Sequence, residues 1–284
     1  MSLNYEILDH MSGHLGDAFY LLDSKKFEKN FDEFLSVFTA IYPKSNIGYS
    51  YKTNYTPKLC KLIDAKGGYA EVVSEMEYDL AIKLGVNPEM IIVNGPYKTK
   101  QALEKFLLGG SIVNLDSYAE VELLKTIVQS HFDKKFSIGL RCNFEINNAS
   151  ISRFGFDVES DNFGAMFSEI SNIDNVVING IHCHFPNRDL ESYSYRVDKI
   201  LELAQRLFST PPKYIDIGGG FFGKMKGSLK AQFSTPTVEY GAYANLIATK
   251  FSQFYQDYSD ENKPILLLEP GSAIVADTMY FVAK

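Results

Sequence analysis

The sequence predicts an α/β fold, a (β/α)8 barrel of the TIM type, and three observations support this prediction. Eight short apolar or β-branched runs recur along the 284 residues, and helix-like stretches fill the gaps between them. Such alternation is typical of parallel strands joined by right-handed crossovers. An open dinucleotide-binding sheet is disfavoured, because no G-x-G-x-x-G follows the first strand.

Each predicted strand is a short apolar run bounded by turn or helix-like residues. The strands are 46–52, 69–73, 90–93, 111–115, 136–142, 176–184, 213–217 and 264–269. Amphipathic spacing predicts helices between them, for example at 74–84, 99–108, 117–128 and 190–207. Ser117 followed by Glu120 is the capping-box pattern of a helix start.

Both chain ends carry β-like runs outside the eight barrel strands. Residues 19–22 precede the first predicted helix, and residues 273–283 begin a further β pattern after the eighth strand. The sequence therefore predicts a barrel over 24–271. The segments 1–23 and 272–284 are then edge elements of a second, β-rich domain that is mostly absent.

Composition disfavours several classes of protein. A net charge of −7 without a basic stripe argues against nucleic acid or an anionic membrane as partner. Cys60, Cys142 and Cys183 are too widely spaced for a disulfide framework or a CxxC metal site, as expected in a reducing, cytoplasmic compartment. No apolar run approaches the ~18 residues of a membrane span, and no signal-peptide pattern opens the chain.

Lys52 lies at the end of the first predicted strand, at the edge where a (β/α) barrel carries its chemistry. Desolvation there can remove the charge of a lysine and leave a nucleophilic amine. An ordinary surface lysine at a strand end is the alternative. Residues at the ends of three later strands favour the interpretation of Lys52 as a nucleophile.

His182 and His184 lie at the end of the sixth predicted strand. Positions i and i+2 of a strand share a face, so both imidazoles can point into the barrel mouth. A metal site, a hydrogen-bonded buried pair and an imidazole stacked on a flat ligand are all possible interpretations. We predict no metal, because His10, His14 and His131 do not lie at predicted strand ends.

Gly218, Gly219 and Gly220 follow the seventh predicted strand, where barrels often bind phosphate. Consecutive glycines let backbone N–H groups face an anion, although they also form tight βα turns. Glu269 ends the eighth strand, where its carboxylate could form a buried ion pair or hold a proton on a ring nitrogen. Pyridoxal phosphate has an aldehyde, a flat ring, a phosphate and a ring nitrogen. These groups match, in that order, the lysine, the histidine, the glycines and the glutamate.

Together these motifs resemble the barrel domain of the fold-type III pyridoxal-phosphate enzymes, the alanine racemase-like superfamily. Within it, the chain is most similar to the ornithine, diaminopimelate and arginine decarboxylase branch. The matching segments, in the family's order, are YSYKTN at 49–54, EVVSEME at 71–77, SRFG at 152–155, GIHCH at 180–184, DIGGG at 216–220 and EPG at 269–271. The resemblance implies a lyase with pyridoxal 5′-phosphate as cofactor, an amino acid as substrate and a homodimeric assembly.

The resemblance also assigns roles to residues. Lys52 would form the aldimine with the cofactor, His184 would stack on its ring, and Glu269 would pair with the pyridinium nitrogen. The implied cofactor-binding set is Lys52, Glu71, His184, Asn187, Gly218, Gly219, Gly220, Glu269, Gly271 and Ser272. Arg141 and Arg153 are implied near the substrate.

The chain departs from the family pattern at several points. Glu71 stands where the family usually has Asp, and Ser272 stands where it usually has an Arg that helps hold the phosphate. After the histidine the family commonly has a small residue, Gly and Ser; here Asn187 either replaces that Ser or marks a different loop. The resemblance also implies a C-terminal domain that supplies a catalytic Cys across the dimer. None of the three Cys here matches it, so we expect either that the sequence is truncated or that the natural chain lacks this half-site.

The carboxylate at position 269 favours decarboxylation over racemisation. It would keep the ring nitrogen protonated and so deepen the electron sink for the carbanion left by CO₂, whereas the racemase branch places an Arg there. A non-catalytic pyridoxal-phosphate carrier is the first alternative, favoured by the short length and disfavoured by the EPG motif at 269–271 and the β run after it. A degenerate regulatory homologue is the second, disfavoured by the retained Lys52. Basic amino acids or carboxylated polyamine precursors are the expected substrates.

Overall fold

The computed structural model describes residues 4–146, 152–233 and 235–284. Its strands are β1 (Ala18–Leu22), β2 (Ser45–Ser50), β3 (Tyr69–Val72), β4 (Ile91–Val93), β5 (Ile112–Leu115), β6 (Phe136–Asn143), β7 (Phe156–Asp157), β8 (Val176–His182), β9 (Tyr214–Asp216), β10 (Ile265–Leu268) and β11 (Met279–Ala283). Its helices are α1 (Tyr5–Leu15), α2 (Ser24–Thr39), α3 (Pro57–Ala65), α4 (Glu75–Lys83), α5 (Lys100–Leu108), α6 (Tyr118–Ser130), α7 (Asp161–Ser171), α8 (Leu190–Leu207), α9 (Gly227–Lys230), α10 (Tyr240–Phe254) and α11 (Ser272–Val275). Tyr51–Thr53 and Pro88–Met90 are short 3₁₀ helices.

Eight parallel strands form a closed barrel in the order β5-β4-β3-β2-β10-β9-β8-β6, and pairing of β5 with β6 closes the ring. The short strand β7 adds to β6 outside this ring. Each of the eight predicted strands overlaps one barrel strand, so the predicted TIM-type barrel is confirmed. The carboxyl ends of all eight strands therefore meet at one rim, where residues distant in sequence come together.

Buried apolar strands and amphipathic helices explain why these segments fold in this way. In β10, Leu266, Leu267 and Leu268 are fully buried, as expected for a parallel strand covered on both faces. Helix α2 buries four phenylalanines on one face and packs them against the barrel. Side-chain caps begin several helices; the Ser74 hydroxyl, for instance, accepts from the Glu77 N–H at the start of α4.

The predicted capping box at the start of α6 is present only in part. The Ser117 hydroxyl accepts from the Glu120 N–H, as predicted. The Glu120 carboxylate, however, accepts from the Asp116 N–H and pairs with Lys98, instead of reaching back to Ser117. Both Glu120 oxygens accept from the buried ammonium group of Lys98, a strong charged donor, and this holds the carboxylate toward Lys98 and Asp116.

The two chain ends meet in a separate two-stranded antiparallel sheet. Strand β1 pairs with β11 in the register Ala18 to Ala283. The β pattern expected over 273–283 is wrong at its start, because α11 forms there and packs against α2, where the Asn30 amide donates to the Ile274 carbonyl. Helix α1 was not predicted. Among the described residues, no helix is both long enough and apolar enough to cross a membrane.

Candidate active site

A cavity of about 460 Å³ opens at the rim formed by the carboxyl ends of the barrel strands. This volume lies in the usual range for sites that bind small molecules and cofactors. The predicted residues that line it are Lys52, Glu71, Arg141, Arg153, His184 and Glu269. Asn94, Phe154 and His182 also line it. The barrel thus brings together side chains from the ends of at least five strands.

Lys52 lies in the 3₁₀ helix directly after β2, and its Nζ is 3.6 Å from Glu71 Oε2. Burial lowers the pKa of Lys52, but the charges of Glu71 and Glu269 act more strongly together and raise it above its usual value. The expectation that desolvation removes the charge of Lys52 is therefore wrong for this arrangement. Two carboxylates face the amine, and its side chain keeps 43% of its surface exposed.

Glu71 and Glu269 are buried carboxylates joined by one amide. Asn94 Nδ2 donates to Glu269 Oε1 and, at 3.3 Å, to Glu71 Oε1. Burial and the charge of Glu269 raise the pKa of Glu71 to about 7. For Glu269, burial acts upward, but His182, His184 and Lys52 together hold its pKa well below its usual range. The surroundings therefore favour the anionic form of Glu269, whereas the pKa of Glu71 lies near 7.

The two predicted histidines both face Glu269. His182 Nε2 lies 3.6 Å from Glu269 Oε1, and burial lowers the pKa of His182 to about 4, so this ring is neutral near pH 7. His184 Nδ1 lies 3.5 Å from Glu269 Oε2 and accepts from the Gly219 N–H at 3.1 Å. Burial also lowers the pKa of His184.

His182, His184 and Glu269 place possible metal-ligand atoms within 4.8 Å of one another, so their geometry is compatible with the metal interpretation. The second interpretation, a hydrogen-bonded buried pair, is not supported: His182 is buried, but both of its ring nitrogens lack a hydrogen-bond partner among the described residues. The His184 side chain is 28% exposed toward the cavity, as the stacking interpretation requires. The family comparison below favours a cofactor here over a metal.

The glycine loop after β9 borders the cavity behind His184 and does not line it. Gly218 and Gly220 have positive φ angles of +70° and +97°. A Cβ on Gly219 would lie 2.4 Å from the Glu269 carbonyl oxygen, so the loops after β9 and β10 are in close contact. Gly271 likewise allows a close contact between two segments, since a Cβ there would lie 2.1 Å from Thr53 Oγ1, beside Lys52.

Asn187 and Ser272 also lie outside the cavity lining. Asn187 is exposed in the loop after β8, and Ser272 begins α11. Among the described residues, neither side chain forms a hydrogen bond with Lys52 or Glu269. Their predicted contacts with phosphate remain predictions.

Arg141 and Arg153 share one aromatic contact at the cavity. Their guanidinium carbons lie 5.1 and 4.7 Å from the centre of the Phe154 ring. Arg141 is buried and donates to Asp116 Oδ2 at 2.9 Å, whereas Arg153 is exposed. Arg141 is thus fixed in place by Asp116, whereas Arg153 is an exposed cation that lines the cavity. Residues 147–151, just before this segment, lie outside the described residues.

Sequence reasoning missed three groups that the structure places at or beside the site. Asn94 directly follows β4, and a polar residue at a strand end was the available signal. Asp216 is fully buried and accepts from the Gly218 N–H at 2.9 Å; burial and the charge of Glu269 raise its pKa well above the usual value. Arg196, in the middle of α8, contacts the Gly219 carbonyl and gives no signal in the sequence.

Residues 25–276 match the sequence model of the family described as "Pyridoxal-dependent decarboxylase, pyridoxal binding domain". The chain belongs to this family. It therefore contains a pyridoxal-phosphate-binding domain, which confirms the cofactor implied by the resemblance.

The most informative relatives are decarboxylases. The chain is similar to a diaminopimelate decarboxylase of Aquifex aeolicus, with 28% identity over 98% of this chain and 64% of the relative. Two solved structures share the fold: Helicobacter pylori diaminopimelate decarboxylase complexed with L-lysine (TM-score 0.79, 23% identity, 97% of this chain and 68% of that one) and Paramecium bursaria Chlorella virus arginine decarboxylase (TM-score 0.71, 20% identity, 97% and 70%). The chain spans 64% of the length of the Aquifex relative.

Proposed function

We propose that this chain is the catalytic barrel of a pyridoxal-phosphate-dependent amino-acid decarboxylase. One observation carries the proposal: Lys52 Nζ, the buried anion Glu269 and the half-exposed ring of His184 face one cavity at the strand ends. The family membership and the decarboxylase relatives support it.

The donor set of the cavity fits pyridoxal phosphate group by group. An amine at Lys52 suits the aldehyde, and a flat imidazole at His184 suits the face of the ring. Glu269, held ionised by its neighbours, suits a protonated ring nitrogen. The glycine loop directly behind His184 suits the phosphate, because its backbone can approach an anion closely.

When bound, pyridoxal phosphate supplies an electron sink for the bond between the α-carbon and the departing carboxylate. The protein's part is to hold charge and protons around that sink. Glu269 would hold a proton on the ring nitrogen, and Asn94 fixes the orientation of this carboxylate. His184 would pack against the ring, with its own orientation fixed by the Gly219 N–H.

Lys52 must lose a proton before it can act as a nucleophile, and Glu71 is placed to take it. The two groups are 3.6 Å apart, and the pKa of Glu71 lies near 7, so the carboxylate can exchange a proton at neutral pH. The Ser50 hydroxyl donates to Glu71 Oε2 and holds this oxygen on the Lys52 side. Glu71 is thus the proton acceptor for Lys52.

The substrate in this proposal is a basic amino acid or a carboxylated polyamine precursor. The cavity is lined by the carboxyl groups of Glu71 and Glu269 and by three cations; Lys52 faces these carboxyl groups, Arg141 pairs with Asp116, and Arg153 is exposed. A second carboxylate at the far end of a substrate could pair with Arg153, which favours a diamino dicarboxylic acid over a simple diamino acid or a carboxylated polyamine, whose one carboxylate is the one that departs. A second copy of the chain is the proposed partner.

The assignment of 24–271 as barrel, with 1–23 and 272–284 as edges of a second domain, likewise stays a prediction.

The test is CO₂ release from purified protein supplied with pyridoxal phosphate. The substrates are lysine, ornithine, arginine, meso-diaminopimelate and a carboxylated polyamine, each beside Lys52→Ala and Glu269→Gln. We expect CO₂ from at least one substrate, none with Lys52→Ala, and a severe loss with Glu269→Gln, because a neutral amide cannot hold the ring nitrogen protonated. Size-exclusion chromatography with light scattering tests the homodimer.

Two other outcomes correspond to the alternatives. Cofactor attachment at Lys52 without CO₂ from any substrate would support a carrier. Loss of optical activity of an amino acid without CO₂ would support a racemase. Glu269 argues against the racemase, because an anion at the ring nitrogen favours the deep sink.

A further inference from the structure

Arg196 is a fully buried cation in the middle of α8, directly behind the two loops proposed to hold the phosphate. Its Nη2 donates to the Asn187 carbonyl at 2.8 Å, in the loop after β8. Its Nη1 donates to the Gly219 carbonyl at 3.4 Å, in the loop after β9. One guanidinium therefore links the two loops.

Arg196 has no carboxylate partner among the described residues. None of the ion pairs between described residues includes Arg196, and its Nε has no hydrogen-bond partner among those residues. Its other contacts are the Ser192 hydroxyl at 3.2 Å and the faces of Tyr193 and Phe185, whose ring centres lie 4.0 and 5.5 Å from the guanidinium carbon. Burying an unpaired charge is unfavourable, so an anion that offsets it is expected close by.

The backbone around Arg196 shows where that anion would bind. In a trans peptide the N–H points opposite to the C=O, and this chain has no cis peptide among the described residues. Because the Asn187 and Gly219 carbonyls point at Arg196, the N–H groups of Arg188 and Gly220 point away from it. Neither N–H donates to a described acceptor.

The two peptides lie close together. A Cβ on Gly220 would lie 3.1 Å from the Asn187 carbonyl oxygen, and Gly220 is only partly buried. Other cations are engaged elsewhere: the Arg188 guanidinium lies over the Phe222 ring, and Lys224 pairs with Glu33. Ser272 contributes no charge.

We propose that Arg196 is the counter-charge of a two-amide phosphate site formed by the N–H groups of Arg188 and Gly220. It acts from behind the peptides: its positive charge and its two hydrogen bonds polarise them toward the phosphate on their other side. Arg196 is thus a positioning residue and does not contact the cofactor. This inference rests on the proposed function, because it takes pyridoxal phosphate as the ligand.

The experiment compares the dissociation constants of pyridoxal phosphate and of pyridoxal, which lacks the phosphate, by absorbance titration of the full chain. The phosphate preference is the ratio of the pyridoxal constant to the pyridoxal phosphate constant. We expect Arg196→Gln to reduce this ratio by about tenfold or more, chiefly by weakening pyridoxal phosphate. Arg206→Gln is the matched control, since Arg206 lies on the same helix and donates to a backbone carbonyl, that of Val158, away from the glycine loop. It should leave the ratio unchanged.

Equal weakening of both ligands in Arg196→Gln, or an unchanged ratio, would overturn the proposal, because a purely structural role affects the two ligands alike. Arg196→Lys covers the case in which the Gln variant does not fold. It keeps the buried charge but cannot hold both carbonyls, so the ratio should fall by about threefold, and an unchanged ratio again refutes the role. If the wild type attaches pyridoxal phosphate at Lys52 and only the ratio test fails, the proposed function survives. If the wild type does not attach it, the proposed function itself fails.

Discussion

Removing Lys98 should destabilise the protein strongly, because this residue is half of a fully buried ion pair. Lys98 Nζ lies 3.0 Å from Glu120 Oε2, and both side chains are at most 3% exposed. Nζ also donates to the carbonyls of Gly95 and Asn114. Glu120 in turn accepts from the Asp116 N–H, and Asp116 accepts from Arg141 at the cavity. The pair therefore supports the site.

The magnitude follows from the geometry. Two unit charges 3.0 Å apart attract by about 5.5 kcal/mol at an effective dielectric constant of about 20. Removing one partner of such a pair typically lowers the free energy of unfolding by about 3–5 kcal/mol, because the other charge stays buried. We expect this loss for Lys98→Met. The double variant Lys98→Met, Glu120→Gln should be less destabilised than Lys98→Met alone, since no buried charge remains and Gln still accepts from Asp116.

Urea unfolding of the wild type, both single variants and the double variant measures the coupling free energy, expected at about 2–3 kcal/mol. Burial raises the pKa of Glu120 more than the charge of Lys98 lowers it. Without Lys98 the carboxylate should take up a proton in the folded state, so Lys98→Met should regain stability as the pH falls. Additive single effects, or a penalty independent of pH, would refute charge pairing as the origin of the stability.

Two further predictions concern the cavity. Burial lowers the pKa of His182 from 6.5 to about 4 and raises that of Glu71 from 4.5 to about 7, so on acidification His182 removes stability from the folded state and Glu71 adds it. Between about pH 6.5 and about pH 4.5 in urea unfolding, His182→Asn should therefore gain about 2 kcal/mol of stability relative to the wild type, and Glu71→Gln should lose about as much; two unchanged profiles would contradict the assignment. Gly219→Ala should lower the free energy of unfolding by about 1–3 kcal/mol, because its Cβ would lie 2.4 Å from a backbone oxygen. Gly227→Ala, with open space at its Cβ, is the control, and equal melting temperatures for the two variants would count against the close loop contact.

The barrel could be predicted from the sequence because its determinants are local. Parallel strands buried on both faces appear as short apolar runs, and each barrel strand has such a run. The rim position of Lys52, His184 and Glu269 followed from their places at strand ends. Helix α11 could not be predicted in the same way, since Ala273, Ile274 and Val275 are as compatible with a strand, and only packing against α2 decides.

The charge states and supporting contacts depend on distances between segments remote in sequence. Asn94 and Glu269 are 175 positions apart, yet one amide bridges two carboxylates there. Lys52 keeps its charge because Glu71 and Glu269 face it, which a strand-end position alone does not reveal. Arg196 lies in an ordinary amphipathic helix, and its unpaired burial becomes visible only when the loops it links are seen together.

The attachment site of the cofactor tests the central claim most directly. The full chain is incubated with pyridoxal phosphate, reduced with borohydride and digested, and the modified peptide is mapped by mass spectrometry. The account predicts one cofactor mass on Lys52, a yellow absorption band before reduction, and neither in Lys52→Ala. Modification of other lysines in both proteins, with the spectrum of free cofactor, would contradict it.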